Sequence, residues 1–110
     1  MIYNALMDKF SALADPTRRK IIELLARRGQ LSASEIAEQF TISAPAISQH
    51  LKILQEAGLI QVERQAQRRI YRVDTGVMSE VEDWAHRMRQ MWDQRFDALE
   101  KIVLEERGKE

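Results

Sequence analysis

The chain has 110 residues, a hydrophobic content of 45%, no cysteine and a formal net charge of zero, values typical of one globular domain. The lack of cysteine excludes disulfides, thiolate metal ligands and thiol redox switches. The sequence shows neither an apolar run long enough to span a membrane nor a secretory leader, so we expect a single cytoplasmic domain, residues 1–110, with no membrane partner.

The zero net charge conceals a segregation of charge along the chain. Residues 1–42 carry six basic and five acidic groups (+1), residues 43–73 carry five and two (+3), and residues 74–110 carry six and ten (−4). A basic middle and an acidic tail predict one surface for an anionic polymer and another that faces away from it.

The first two predicted elements are helices. In IYNALMDKFSAL, apolar residues recur at helical spacing, at Ile2, Leu6, Phe10 and Leu13. In ADPTRRKIIELLARRGQ, Asp15 can cap a helix whose first residue is Pro16, and Gly29 ends that helix.

Two further helices follow with a short connection between them. Ser32 and Glu35 have the spacing of a capping box, which predicts a helix of about two turns that ends at Phe40. Ser43 can cap the next helix, which Gly58 ends. About three residues separate the two helices, and this spacing is typical of a helix-turn-helix.

The helix that begins at Ser43 has two different faces. Ile47, Leu51 and Leu54 share one face and predict anchoring in a core. The other residues are small or polar, as a helix in a DNA major groove requires, although an ordinary solvated helix surface has the same composition. The predicted DNA-binding residues of this helix are Ser43, Ala44, Pro45, Ser48, Gln49 and Lys52.

The next segment, LIQVERQAQRRIYRVD, has two runs rich in Val, Ile and Tyr around an arginine-rich centre, which predicts a β-hairpin. No Gly or Asn marks its turn, so the register stays open. Arg64, Arg68, Arg69 and Arg72 lie in and around its tip, where they can reach phosphates. A basic hairpin after a helix-turn-helix predicts a winged helix-turn-helix.

The last helix is predicted from about Val77 to Glu106, and its apolar stripe is too large for one small domain to cover. We expect a homodimer in which this stripe packs on its mate and on the N-terminal helix. A ligand pocket lined by Trp84, Met88, Met91 and Trp92 is the alternative. The predicted interface residues are Ile2, Leu6, Phe10, Trp84, Met88, Met91, Trp92, Leu99 and Ile102.

Residues 10–73 resemble the DNA-binding core of ArsR/SmtB-type bacterial repressors. The resemblance rests on ALADPTRRKIIELL, LSASEIAEQF, ISQHLKILQEAGLI and an arginine-rich wing that closes on YRV. It implies a mostly α fold with a small β-hairpin: four helices, two strands and a fifth helix, homodimeric, with a DNA-binding core at about 15–73. It also implies repression through operator DNA bound by the helix after Ser43 and by the wing, with His50 packed inward.

The sequence departs from the metal sensors of this family. Their cysteine cluster is absent, which excludes a thiolate sensor of arsenic or cadmium and a persulfide sensor. Their second metal site would fall on Asp83, His86, Asp97 and Glu100, but its second histidine is missing, so we expect no metal and no cofactor.

No constellation in the sequence is typical of an enzyme, because there is neither a glycine-rich phosphate loop nor a nucleophile with a base beside it. We therefore expect a sequence-specific DNA-binding repressor whose partners are double-stranded operator DNA and a second copy, with an effector that the sequence does not identify. The alternative function is a protein-interaction module whose long C-terminal helix recruits a partner protein.

Overall fold

The order of helices and strands is that of a winged helix-turn-helix with one additional short strand. A computed structural model describes the backbone of residues 2–108 and the side chains of residues 4–108. The chain divides into two compact units, Met1–Met78 and Ser79–Glu110. The described elements are α1 (Ile2–Leu13), α2 (Pro16–Arg28), β1 (Leu31–Ser32), α3 (Ala33–Glu38), α4 (Ala44–Glu56), β2 (Ile60–Gln65), β3 (Arg68–Val73) and α5 (Thr75–Gly108).

The predicted starts of α2 and α4 are confirmed by side chains that accept hydrogen bonds from backbone N–H groups. Asp15 Oδ2 accepts from the N–H of Arg18 at 3.0 Å, and Ser43 Oγ accepts from the N–H of Ala46 at 3.2 Å. Each bond satisfies an N–H that has no partner within its helix. At the end of α2, Gly29 adopts a φ of 86°, which a residue with a side chain rarely takes.

The capping box of α3 is confirmed, but the helix is shorter than expected. Ser32 Oγ accepts from the N–H of Glu35 at 3.2 Å, and Glu35 Oε1 accepts from the N–H of Ser32 at 3.1 Å. The helix ends at Glu38 rather than Phe40. The N–H groups of Gln39 and Phe40 bond to carbonyls three residues before them, so the chain tightens into a turn.

The end of α4 shows why the wing begins where it does. The N–H of Gly58 bonds to the carbonyl of Gln55 at 2.9 Å, and the N–H of Leu59 bonds to that of Leu54 at 3.0 Å. This is a Schellman motif, and Gly58 supplies its positive φ of 79°. Leu54 and Leu59 are both fully buried, so the turn is also fixed by apolar contact.

The predicted hairpin is confirmed, and the structure supplies its register. Strands β2 and β3 pair antiparallel from Ile60 opposite Val73 to Gln65 opposite Arg68, which leaves a turn of two residues, Ala66 and Gln67. Ala66 adopts a φ of 56°. This left-handed conformation is the one that glycine usually supplies in such turns, and here an alanine takes it.

Strand β1 was not expected from the sequence. Leu31 pairs with Tyr71 and Ser32 with Ile70, so β3 lies between β1 and β2 in a three-stranded antiparallel sheet. A strand of two residues has no periodicity to detect, and its pairing partner lies about 40 residues further along the chain.

The core of the first unit is built from the apolar faces of α2 and α4 together with residues of the sheet. Leu13, Phe40, Val62 and Val77 are among the partly buried side chains packed against it. The buried core residues are Ala12, Ile21, Ile22, Leu24, Leu25, Leu31, Ile36, Ile47, Leu51, Leu54, Leu59, Ile60 and Tyr71.

The fifth helix is confirmed and extends two residues beyond each predicted end. Asp74 Oδ1 accepts from the N–H of Val77 at 3.1 Å, so the helix begins at Thr75 rather than Val77. Its 34 residues correspond to a length of about 50 Å at 1.5 Å per residue.

We expect the replacement Ala66→Gly to stabilise the wing. A left-handed alanine costs roughly 1–2 kcal/mol, and the greater freedom of glycine in the unfolded chain offsets part of the gain. The free energy of unfolding in urea should therefore rise by about 0.5–1 kcal/mol.

The neighbouring replacement Gln67→Gly is the control for this prediction. Ala66 is the only residue other than glycine with a positive φ in the described chain. Glycine at position 67 relieves no such strain and only gives the unfolded chain more freedom, so it should lower the free energy of unfolding by about 0.5–1 kcal/mol. Equal losses for the two variants would contradict a strained turn.

Candidate nucleic-acid interface

Helix α4 presents an exposed face of small and polar residues. Ile47, Leu51 and Leu54 are buried on its inner side. Because side chains three and four residues apart share a helix face, this burial turns the opposite face of the helix outward. The structure places all six predicted residues of this helix at the surface, namely Ser43, Ala44, Pro45, Ser48, Gln49 and Lys52.

His50 lies towards the inner side of α4, as expected. Its side chain is 20% exposed, and its Nδ1 lies 3.4 Å from Nη1 of Arg18 and 3.9 Å from Oδ2 of Asp15. The pKa of Asp15 is lowered mainly by the hydrogen bond from the backbone N–H of Arg18. His50 therefore fixes α4 against the start of α2 instead of pointing to a ligand.

Arg18 is a structural residue that the sequence pattern did not reveal. Its Nε donates to the carbonyl of Ala12 at 2.6 Å and its Nη2 to that of Ser11 at 3.3 Å. Arg19 donates similarly to the carbonyl of Leu13 at 2.8 Å. The two arginines thus bind the C-terminal carbonyls of α1. Cations in the first turn of a helix are unfavourable, so their presence at the start of α2 is the feature of the sequence that could have indicated this role.

The four predicted wing arginines divide between the two faces of the hairpin. Arg64 and Arg69 lie directly opposite each other in the register and so share a face, whereas Arg68 and Arg72 lie on the other. All four are exposed. The sequence places them in one cluster, but their environments differ.

Arg64 and Arg69 are the wing cations best placed for an anion. They line an open cavity of about 350 Å³ together with Gln55, Val62 and Tyr71. Among the described residues, no carboxylate lies within ion-pair distance of either guanidinium. Like charges directly opposite each other in a sheet repel, so a bound phosphate would relieve the repulsion.

Arg68 and Arg72 have partners within the chain. Arg68 Nη2 donates to Glu35 Oε1 at 2.8 Å, and Arg72 donates to Gln61 Oε1 through Nε at 3.2 Å and Nη2 at 2.9 Å. Gln61 Nε2 in turn donates to Asp74 Oδ2 at 2.8 Å. These bonds restrain both arginine side chains on one face of the hairpin.

The two carboxylates beside these arginines are held in their charged form. The backbone N–H of Ser32 is the main cause of the lowered pKa of Glu35, and Arg68 lowers it further. The pKa of Asp74 is lowered mainly by the backbone N–H of Val77 and then by Gln61. Both side chains remain acceptors at neutral pH.

The second unit carries an exposed apolar stripe on α5. Met91, Trp92, Phe96, Leu99 and Ile102 are each 55–62% exposed. A contiguous apolar surface of this kind is typical of an interaction site. An open groove of about 480 Å³ lies along the same helix, lined by Phe96, Leu99, Glu100, Val103, Leu104 and Arg107.

The other predicted interface residues differ in exposure. Leu6, Phe10 and Trp84 are half-buried and Met88 is 38% exposed, whereas the side chain of Ile2 lies outside the described residues. Met91 and Trp92, which the alternative interpretation places in a ligand pocket, are both more than 60% exposed.

Two other features of the described residues bear on function. No group of three or more His, Cys, Asp or Glu side chains is placed to hold a metal ion between residues 4 and 108. No helix in that part of the chain is sufficiently long and apolar to cross a membrane.

The elements around α4 define the class of the protein. A short helix, a tight turn, a second helix with an exposed polar face and a basic hairpin together form a winged helix-turn-helix. In DNA-binding proteins of this class, the second helix lies in the major groove.

Comparison with known proteins identifies the family. A family model described as bacterial regulatory protein, arsR family, matches residues 15–62. The transcriptional repressor SdpR of Bacillus subtilis is 45% identical over 75 residues, which are 68% of this chain and 82% of SdpR. The chain belongs to the ArsR family of bacterial transcriptional regulators.

Solved structures agree with this assignment. The ArsR-like transcriptional regulator from Rhodococcus sp. RHA1 is 32% identical with a TM-score of 0.79, over 92% of this chain and 94% of that one. The homodimeric winged helix-turn-helix DNA-binding domain of a possible ArsR-family transcriptional regulator from Mycobacterium bovis is 25% identical, with a TM-score of 0.65 over 77% and 82% of the two chains.

Proposed function

We propose that the chain is a dimeric transcriptional repressor that binds a pseudo-palindromic operator with α4 and the wing. The observation that carries this proposal is the division of α4 into a buried apolar face and an exposed face of small and polar residues. The description of the relative SdpR as a repressor supports repression rather than activation of transcription. A cytoplasmic location is part of this proposal, because the operator DNA of a bacterium lies in the cytoplasm.

The residues of α4 take two roles in this proposal. Ser48 and Gln49 bond to base edges in the major groove, because hydroxyl and amide groups match the donors and acceptors found there. Ser43, Ala44 and Pro45 allow the start of the helix to approach the DNA closely. Lys52, one turn further along, contacts phosphate.

The wing supplies the sequence-independent part of the affinity. Arg64 and Arg69 are exposed and, among described residues, have no carboxylate partner, so they meet phosphates without first breaking an ion pair. Arg68 and Arg72 contribute from the other face of the hairpin. Phosphate contacts of this kind position a protein on DNA, while the base contacts select the site.

Dimerisation gives the repressor its second recognition helix. The exposed stripe of α5 packs on a second copy together with α1, so residues 1–110 act as one winged helix-turn-helix domain with dimerisation helices at both ends. The homodimeric relative from Mycobacterium bovis supports this assembly. Two copies of α4 spaced by about 34 Å would read successive major grooves.

The proposed function is tested by selection of the purified protein against a random-sequence duplex library at about 150 mM salt. We expect a pseudo-palindromic winner that is bound roughly 10³-fold or more tightly than scrambled DNA. Equal affinity for the two duplexes would instead favour a protein-interaction module, and a pull-down with α5 would then be the next step.

Arg69→Ala and Gln49→Ala should have different effects on binding. Loss of a phosphate contact in Arg69→Ala weakens binding to every sequence and lowers the salt slope by about one. Loss of a base contact in Gln49→Ala changes preference at particular base pairs by roughly 1–3 kcal/mol. Titration of operator and scrambled duplexes across a salt series separates these effects, and identical profiles would contradict the assigned roles.

Leu99→Glu should dissociate the dimer. Burial of a leucine contributes roughly 1.5–3 kcal/mol and occurs once in each protomer, so dimer affinity should fall by about 100-fold or more in sedimentation equilibrium.

Gln90→Glu is the matched control for Leu99→Glu, because nine residues at 3.6 per turn place Gln90 on the opposite side of α5. This variant should remain dimeric. A dimeric Leu99→Glu variant would remove this part of α5 from the interface.

A further inference from the structure

One predicted DNA contact, Arg68, is already bound to a carboxylate in the free protein. It is the first residue of β3, directly after the turn of the wing, and its Nη2 donates to Glu35 Oε1 of α3 at 2.8 Å. The two residues are 33 positions apart in sequence. The pair therefore joins the wing to the helix-turn-helix.

Glu35 is held in place independently of Arg68. The same Oε1 atom accepts from the backbone N–H of Ser32 at 3.1 Å, as part of the capping box of α3. The carboxylate is thus a fixed anion beside the wing. A carboxylate offers a guanidinium the same kind of charged oxygen acceptor as a DNA phosphate does.

The ion pair is accessible enough to exchange. The side chain of Arg68 is 62% exposed and that of Glu35 is 46% exposed. Exposed pairs contribute little to stability and weaken as salt increases. A phosphate that approaches the wing can therefore take the place of Glu35.

We propose that Glu35 is an intramolecular competitor of DNA phosphate for Arg68 and so limits the contribution of the wing to DNA affinity. This inference rests on the proposed DNA-binding function. In the free protein Arg68 binds Glu35, and on DNA it binds a phosphate instead. Arg64 and Arg69 have no such competitor among the described residues.

The replacement Glu35→Gln tests the competitor directly. Glutamine also completes a capping box, so the start of α3 is retained while the anion is removed. An exposed ion pair of typical strength at each of the two wings of the dimer predicts that affinity for a scrambled duplex of about 20 base pairs rises about 2- to 30-fold. Because salt screens the pair, the gain should shrink between about 50 and 200 mM salt.

Two comparisons separate competition from a general change of charge. Glu38→Gln removes the same charge one turn further along α3, from an exposed residue with no ion pair among those described, and it should raise the affinity less. In an Arg68→Ala background, Glu35→Gln should raise the affinity for DNA no more than Glu38→Gln does, because the cation for which Glu35 and phosphate compete is absent.

The outcomes distinguish this inference from the proposed function. Suppose that Arg68→Ala weakens DNA binding but that Glu35→Gln raises the affinity no more than Glu38→Gln does, or lowers it. Glu35 is then not a competitor of phosphate, while the role of the wing in DNA binding is retained. If Arg68→Ala changes neither affinity nor salt slope, Arg68 is not a DNA contact. In the Arg68→Ala background, a gain from Glu35→Gln that exceeds the gain from Glu38→Gln would also contradict the competition.

Discussion

The burial of one face of α4 positions the recognition helix and the wing that follows it. Ile47, Leu51 and Leu54 are almost completely buried, and their spacing allows only one rotation of the helix about its axis. That rotation turns Ser48 and Gln49 outward. The Schellman motif at the end of the helix then directs the chain into the wing, so apolar packing positions both parts of the proposed DNA-binding surface.

Arginine serves three different purposes in this small protein, and only the surroundings distinguish them. Arg18 binds the carbonyls at the end of α1, Arg68 binds the carboxylate of Glu35, and Arg64 and Arg69 face each other without a carboxylate partner in the described chain. A count of charges along residues 43–73 treats the last three as equal. Because Arg68 and Arg72 already have partners within the chain, the cations free to meet an anion are fewer than the five basic groups of this segment suggest.

The two units of the chain differ in how far their apolar side chains are buried. The first encloses its apolar side chains in a core made from helices and a sheet. The described part of the second unit is a continuous helix to Gly108, and many of its large apolar side chains are exposed. A surface of this kind is stable in water only when something covers it, which links the proposed second copy to the stability of α5 as well as to DNA recognition.

Features that depend on neighbouring residues could be predicted from the amino-acid sequence. Asp15, Ser32 and Ser43 cap helices within three residues of themselves, and the apolar period of α4 is sufficient to predict which face of that helix is buried. Three other features could not be predicted and become visible only in the folded chain: the pairing of β1 with β3, the contact of Arg18 with His50 and the ion pair of Arg68 with Glu35. Each of these joins residues more than 30 positions apart, and local propensity carries no information about which distant side chains meet. The left-handed Ala66 is a related case, because strand pairing on either side imposes a conformation that its own preference opposes.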